Sequence, residues 1–328
     1  MMVLRATRWW VIVAMLSAGS VRAQTFDLEQ FDQIFRPRLK LDARWTPRLA
    51  FRDEPGHYED RTATGVITFP VYKRWSAGVN FDSKNEGLQE VLKNAIQIRA
   101  AQVMGNARYG QRQLVMDGGT RVLHSASLGA LGISLTRNYR ILFWSANANV
   151  SEEEGTLDKA VPRFTGIIGK MRVKGLRKQF FYGLAATVSD GLNLPVPFIG
   201  GTAPIGDRWS FQYVLPLQVG FGFKASKDTR LLFGVGADGY RSGFLQGDER
   251  VNMNYTALRV FANVRHRLTK RYQLRVEASA PLAHGLRLPD PDGDIQHHAI
   301  VPGVQVSAGV NIYFGGSTLE RLLDDVLK

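Results

Sequence analysis

Val304-Gln305-Val306-Ser307-Ala308-Gly309-Val310-Asn311-Ile312-Tyr313-Phe314 is the stretch from which the fold is read. Val304, Val306, Ala308, Val310, Ile312 and Phe314 occupy every second position, with Gln305, Ser307, Gly309, Asn311 and Tyr313 between them. Side chains on a strand alternate faces with a period of two, so one face here is apolar and the other mostly polar. No charge interrupts these eleven residues, about the length of a tilted strand that crosses a bilayer. The two closing aromatics suit a membrane interface. Alone, the stretch fits a strand of a soluble sandwich equally well, and only the rest of the chain separates the two.

The start of the chain points outside the cytoplasm. Arg5 and Arg8 precede an apolar run from Trp9 to Leu16, followed by small residues and Val21-Arg22-Ala23. A basic leader, a short apolar core and a small residue before the cut describe a secretory signal peptide. Residues 1–23 are expected to be removed, leaving Gln24 first. The run is shorter than the roughly twenty residues of a membrane helix, which argues against an uncleaved anchor. No cysteine follows it, which excludes a lipoprotein anchor.

Without any cysteine, neither disulfides nor thiolate metal sites can form, although export would permit the former. The formal charge of +13 implies nucleic acid or an acidic surface as partner. Export disfavours nucleic acid and leaves anionic lipid head groups and small anionic solutes.

Alternation recurs along the chain. Strands are expected at 39–45, 63–71, 75–81, 122–135, 142–150, 165–173, 180–188, 209–225, 231–237, 258–264, 272–280 and 304–314, twelve in all. In the sixth, Thr165, Ile167, Gly169, Met171 and Val173 are expected on the apolar face, opposite Lys170, Arg172 and Lys174. The run 209–225 contains Pro216, and proline normally demotes a central strand. A hairpin there would need a turn that kept the parity of Tyr213, Leu215, Leu217 and Val219, so one strand is the expectation. From 85 to 121 the rhythm breaks: Leu88, Val91, Leu92, Ala95 and Ile96 have helical spacing, and the glycine-bearing stretch after them reads as loop. Leu28, Phe31 and Phe35 suit a short amphipathic helix before the first strand.

Twelve strands make the connectors alternate in length. Short ones fall at 73–74, 136–138, 175–178, 226–229 and 269–271; long ones fall at 46–61, 83–121, 151–163, 191–208, 241–254 and 281–303. Short turns at one end and long loops at the other mark an outer-membrane barrel. The expected fold is therefore all-β, a transmembrane antiparallel up-and-down β-barrel over 37–314. A periplasmic segment at 24–36 would precede it and a helix at 315–328 would follow. Lipid offers no hydrogen-bond partners, so the last strand must pair with the first, around Leu39 to Trp45. Outer-membrane lipid and the barrel-assembly machinery are the expected partners.

In that orientation Arg38, Lys40, Arg44, Lys170, Arg172, Lys174, Lys224, Arg259, Arg265 and Arg275 point inward, opposed clearly only by Asp42, Asp238 and Glu277. Twelve strands lie between eight, whose interior is filled by side chains, and sixteen, which leave an aqueous channel. Two readings stay open. A narrow basic lumen would pass anions and reject cations. Alternatively, these charges pair with the inward acids and the 83–121 insertion, giving a plugged scaffold.

Other constellations carry less. A hydrolase needs nucleophile and base within reach of each other, but His124 and Ser125 are neighbours on a strand and face opposite ways. Asp290-Pro291-Asp292-Gly293-Asp294 begins like a calcium loop and lacks the later bidentate Glu. His297 and His298 have no framework for a transition metal. Glu152 to Glu154 reads as a solvated loop tip. No catalytic residue, metal or cofactor is expected. After Gly315-Gly316, Ser317 and Glu320 form a capping box, and Leu319, Leu322, Leu323, Val326 and Leu327 share one helical face.

Gly191-Leu-Asn-Leu-Pro-Val-Pro-Phe-Ile-Gly-Gly201, Trp209-Ser-Phe-Gln-Tyr-Val-Leu-Pro216 and Gly234-Val-Gly-Ala-Asp-Gly-Tyr240 resemble an uncharacterised family of bacterial outer-membrane β-barrel proteins, a domain of unknown function. The resemblance implies a signal peptide and a membrane barrel, and supplies no activity. In many such proteins a final aromatic residue serves assembly. Phe314 would take that part here, and the trailing helix departs from the pattern.

Overall fold

The computed structural model describes residues 36–52, 55–79, 96–116, 119–135, 140–153, 160–173, 178–189, 192–246, 249–289 and 295–314. The first strands are β1 (Arg38–Ala50), β2 (His57–Val79), β3 (Ile96–Met116), β4 (Gly119–Leu135) and β5 (Arg140–Glu153). Next come β6 (Val161–Val173), β7 (Gln179–Ser189), β8 (Leu192–Ile205), β9 (Trp209–Leu215) and β10 (Gln218–Lys224). The last are β11 (Thr229–Gln246), β12 (Glu249–Arg267), β13 (Tyr272–Pro289), β14 (Ile295–Ala299) and β15 (Gln305–Tyr313).

From β1 to β13 each strand pairs with the next, and β15 pairs with both β13 and β1, which closes the ring. β14 and β15 follow β13 one after the other, so fourteen strands make up the wall. The closing register sets Leu41 against Val310 and Trp45 against Val306, with Asp42 and Arg44 opposite Gly309 and Ser307. Both alternations meet in phase, which is why the last strand completes the ring.

The exterior carries what a soluble protein would bury. Trp45, Phe69, Leu128, Phe164, Ile168, Leu184, Val235, Val264 and Val306 are all exposed, while Gln179, Thr202, Gln218, Asn263 and Gln273 are buried. Such a continuous apolar belt on a closed barrel is covered only by lipid.

Fourteen strands rather than twelve follow from four differences. Residues 63–71 and 75–81 belong to one strand, β2, which runs through Lys73 and Arg74 with a register shift between Pro70 and Tyr72. The expected helix lies outside the described residues from Leu88 to Ala95, and residues 96–116, expected almost wholly as loop, form β3. Its outward residues Gly105, Ala107 and Gln111 are too weakly apolar to show alternation. The connector expected at 191–208 is largely β8, and 209–225 is a hairpin of β9 and β10. That hairpin pairs Val214 with Gln218 and Tyr213 with Val219, so three residues separate the first pair and parity survives the turn.

The connectors change accordingly. The turns expected at 226–229 and 269–271 lie at one end, with Arg38 and Tyr313, as do the strand ends Leu135, Arg140, Val173 and Gln179; residues 136–138 and 175–177 lie outside the described residues. The long connectors at 46–61, 241–254 and 281–303 are mostly strand, and β5 and β6 extend into both ends of 151–163, raising the wall beyond the belt at the other end. There the outward residues are polar, such as Glu59 and Arg61, joined by an ion pair of 2.8 Å. The expected helices at 25–35 and 315–328 lie outside the described residues, as do the signal-peptide positions.

One glycine pair fixes how closely two strands approach. Gly220 and Gly234 face each other across β10 and β11, and a Cβ at Gly234 would meet the Val219 carbonyl and the Gly220 Cα. Backbone on both sides resists displacement. Gly234→Val is therefore expected to cost about 1–3 kcal/mol. The check is the temperature at which the SDS-resistant folded band disappears, and an unchanged temperature would refute the close approach.

Candidate functional site: the barrel interior

The interior holds a chain of ion pairs spanning β1, β11, β12 and β13. Asp42 forms an ion pair with Lys40 at 2.8 Å and accepts from Arg275 at 2.5 Å. Arg44 Nη1 reaches Asp238 at 2.6 Å, and Arg259 stands between Asp238 at 3.6 Å and Glu277 at 2.5 Å. Asn263 also donates to Glu277, and Arg265 donates to Asn263. Each inward acid thus faces more than one donor, as a low-dielectric interior demands of buried charge.

Of the residues expected inside, Lys40, Arg44, Arg259, Arg265, Arg275 and Glu277 belong to this network, and Arg38 lies opposite Tyr313 on β15. Lys170 and Arg172 differ. They are exposed on the face of β6 that carries Phe164 and Ile168, while Met171 is 1% exposed in an inner apolar cluster. β6 has two apolar sets, and the interior takes Ile167 and Met171. Long cationic side chains near the turn keep their heads in water while their stems lie along apolar surface. Lys174 lies outside the described residues, and Lys224 is exposed at the end of β10.

Beyond the belt, side chains of several strands pack together inside the wall. Tyr58, Leu114, Leu123, Met253, Tyr255, Leu286 and Ile300 form one buried cluster. Tyr58 of β2 stacks on Tyr255 of β12 at 5.9 Å, and Tyr240 of β11 stacks on Tyr255 at 5.2 Å. The Arg112 guanidinium sits 3.3 Å from the Tyr240 ring centroid, a cation–π contact. His284 Nε2 donates to the Val301 carbonyl, which leaves Nδ1 to accept from the Tyr255 hydroxyl at 3.1 Å. Burial pushes the phenols of Tyr58, Tyr240 and Tyr255 up from their ordinary value, so these three rings are uncharged.

Unequal strand lengths pinch the ring. β9 and β10 have seven residues each, so β11 beyond Ala237 pairs only with β12, and residues 192–198 of β8 pair only with β7. Pro195 and Pro197 lie on that unpartnered stretch, where a missing N–H costs nothing. The free side of β11 meets β5 and β6: Ser242 Oγ lies 2.7 Å from Ser151 Oγ of β5, and Arg163 Nη2 of β6 donates to the Arg241 carbonyl. β5 and β11 share no backbone ladder, so this seam is held by side chains. Below it Met104, Phe143, Met171, Phe181 and Val214 fill one lobe of the interior.

The seam makes a direct test possible because the chain has no cysteine. Ser151→Cys with Ser242→Cys is expected to form a disulfide under mild oxidation, the oxygen separation of 2.7 Å lying close to the bond length of about 2 Å that two sulfurs require. The measurement is a reductant-sensitive shift on denaturing gels. Free thiols in the folded double variant would mean that β5 and β11 stand apart.

Beside the seam is a cavity of about 110 Å³ lined by Arg108, Arg112, Arg163 and Arg241 with threonine, serine and asparagine side chains. The first two were hidden in the supposed 83–121 loop. Reading β3 as a strand would have placed Asn106, Arg108 and Arg112 together on the inward face.

The remaining constellations separate. His124 faces out and bonds the Tyr109 hydroxyl at 2.7 Å, while Ser125 Oγ donates inward to the Gly110 carbonyl. Glu152 is buried and Glu153 pairs with Arg121, so these two belong to β5 and not to a loop tip. His297 Nδ1 accepts from Arg287, and residues 290–294 lie outside the described residues. Among the described residues no group of three or more His, Cys, Asp or Glu is placed to hold a metal.

A closed antiparallel barrel with a lipid-facing belt and a polar, charged interior is an outer-membrane β-barrel. No family model and no curated protein matches the chain; what the resemblance noted above implied about architecture is what the structure has. Among solved structures, it is similar to an outer-membrane channel of Pseudomonas putida F1, at 10% identity over 85% of this chain and 96% of that one, with a TM-score of 0.42. The Acinetobacter baumannii outer-membrane protein Omp33 (10% identity, 85% and 99% covered, TM-score 0.34) is another. A third is the translocator domain of the Neisseria meningitidis autotransporter NalP (10% identity, 94% and 96% covered, TM-score 0.32). Likeness at this level carries no argument about what this chain does.

Proposed function

We propose that this protein is an outer-membrane barrel held shut at rest, whose interior admits small anions when its cap and seam part. The carrying observation is the contact between distant walls, Tyr58 on Tyr255 and Ser151 against Ser242. A lumen crossed by packed, neutral rings passes neither water nor ions. The anionic preference is supported by Arg108 and Arg163, added to the basic residues of the ion-pair chain. Cations lining a low-dielectric passage concentrate anions and repel cations.

Planar bilayers test this. The wild-type barrel is expected to insert without channel steps, and steps from the unaltered protein would overturn the closed reading. Selectivity for cations in any variant that opens would overturn the anionic one.

A further inference from the structure

We propose that the cavity beside the β5–β11 seam binds a small oxyanion of the phosphate or sulfate class, gripped by Arg108, Arg112 and Arg163. This deepens the reading of a closed, anion-preferring interior and rests on it. The cavity measures about 110 Å³, against roughly 30 Å³ for a water molecule in the liquid. It has room for an ion of a few heavy atoms.

The donors match that ligand. Guanidinium groups present planar forks of N–H donors that fit oxyanions two bonds at a time. Thr62, Thr64, Ser125, Ser127, Asn149 and Ser151 add neutral hydroxyl and amide groups to the lining. Among the described lining residues there is no carboxylate. The nearest acid, Asp60, approaches Arg112 at 3.4 Å and already accepts from Tyr58 and Thr62. Arg108 and Arg112 rise from the same face of β3, and the Nε of Arg108 is buried without a hydrogen-bond partner. Arg163 is 8% exposed. Like charges gathered out of water repel, and an anion bound between them removes the repulsion as it satisfies the donors. Water would supply the acceptors without the charge.

The test uses the purified full barrel in zwitterionic detergent. Its thermal unfolding midpoint is followed while inorganic phosphate or sulfate replaces chloride at constant ionic strength. A saturable rise is expected, because a ligand that binds only the folded state stabilises it by mass action. Arg108→Gln and Arg163→Gln should each weaken the apparent affinity at least tenfold. Arg172→Gln, on the outer face, should leave the titration unchanged. Arg108→Gln without anion should unfold at or above the wild-type midpoint, since it relieves the repulsion with Arg112. No saturable rise over chloride, or titrations in both arginine variants that match the wild type, would overturn the site. A silent barrel without an anion response removes this site alone, whereas channel steps with a normal response remove the closed reading alone.

Discussion

Asp238→Ala is expected to be the most damaging single substitution in the interior, lowering stability by about 3–5 kcal/mol through the loss of one partner of a buried ion pair. The carboxylate holds Arg44 at 2.6 Å and lies 3.6 Å from Arg259. These side chains are 10%, 18% and 15% exposed, so water screens them little. Arg259 keeps Glu277 in the variant, but Arg44 loses its short ionic contact. Arg44→Ala in the same chain removes the stranded charge, and the double variant is expected to recover part of the loss. Urea unfolding in lipid vesicles, followed by tryptophan fluorescence, measures both. A cost below about 1 kcal/mol for Asp238→Ala would show a hydrated interior, since exposed pairs contribute only that much, and would favour the open pore.

The second large effect is a gain of conductance. Replacing Tyr58, Tyr240 and Tyr255 together by alanine is expected to turn a silent barrel into an anion-selective one. Each ring buries roughly 150–250 Å², and together they join β2, β11 and β12 across the mouth. Their removal also frees Arg112 from the Tyr240 ring, leaving its guanidinium to face incoming ions. Such truncations destabilise by several kcal/mol, so the heat-modifiable folded band is checked first, with Tyr255→Ser as the milder variant. A folded triple variant that stays silent would locate the closure in the lobe filled by Phe143, Met171 and Phe181, and would refute the cap as the barrier.

How far the interior was legible depended on the contrast between the two faces of each strand. In β12, Leu258, Val260, Ala262 and Val264 oppose Arg259, Asn263 and Arg265, and the structure keeps that order. In β6 the contrast fails because Ile167 and Met171 are as apolar as Phe164 and Ile168, and charge pointed the wrong way. β3 failed differently. Its small outward residues and inward glycine mimic a loop, so Arg108 and Arg112 stayed hidden. Pro195 and Pro197 suggested a connector because nothing local reveals that β8 has no partner on one side there.

By itself the sequence determined that the chain closes into a membrane barrel and that its last strand meets its first. Both follow from period-two alternation, which belongs to each strand alone, and from the demand of lipid that every edge be paired. Only the tertiary structure decided that fourteen strands share the wall, that β11 leaves β10 and leans on β5, and that tyrosines of β2, β11 and β12 stack together. Those outcomes depend on relative strand lengths and on which side chains meet across the interior, and such contacts join residues nearly two hundred positions apart, as Tyr58 and Tyr255 do.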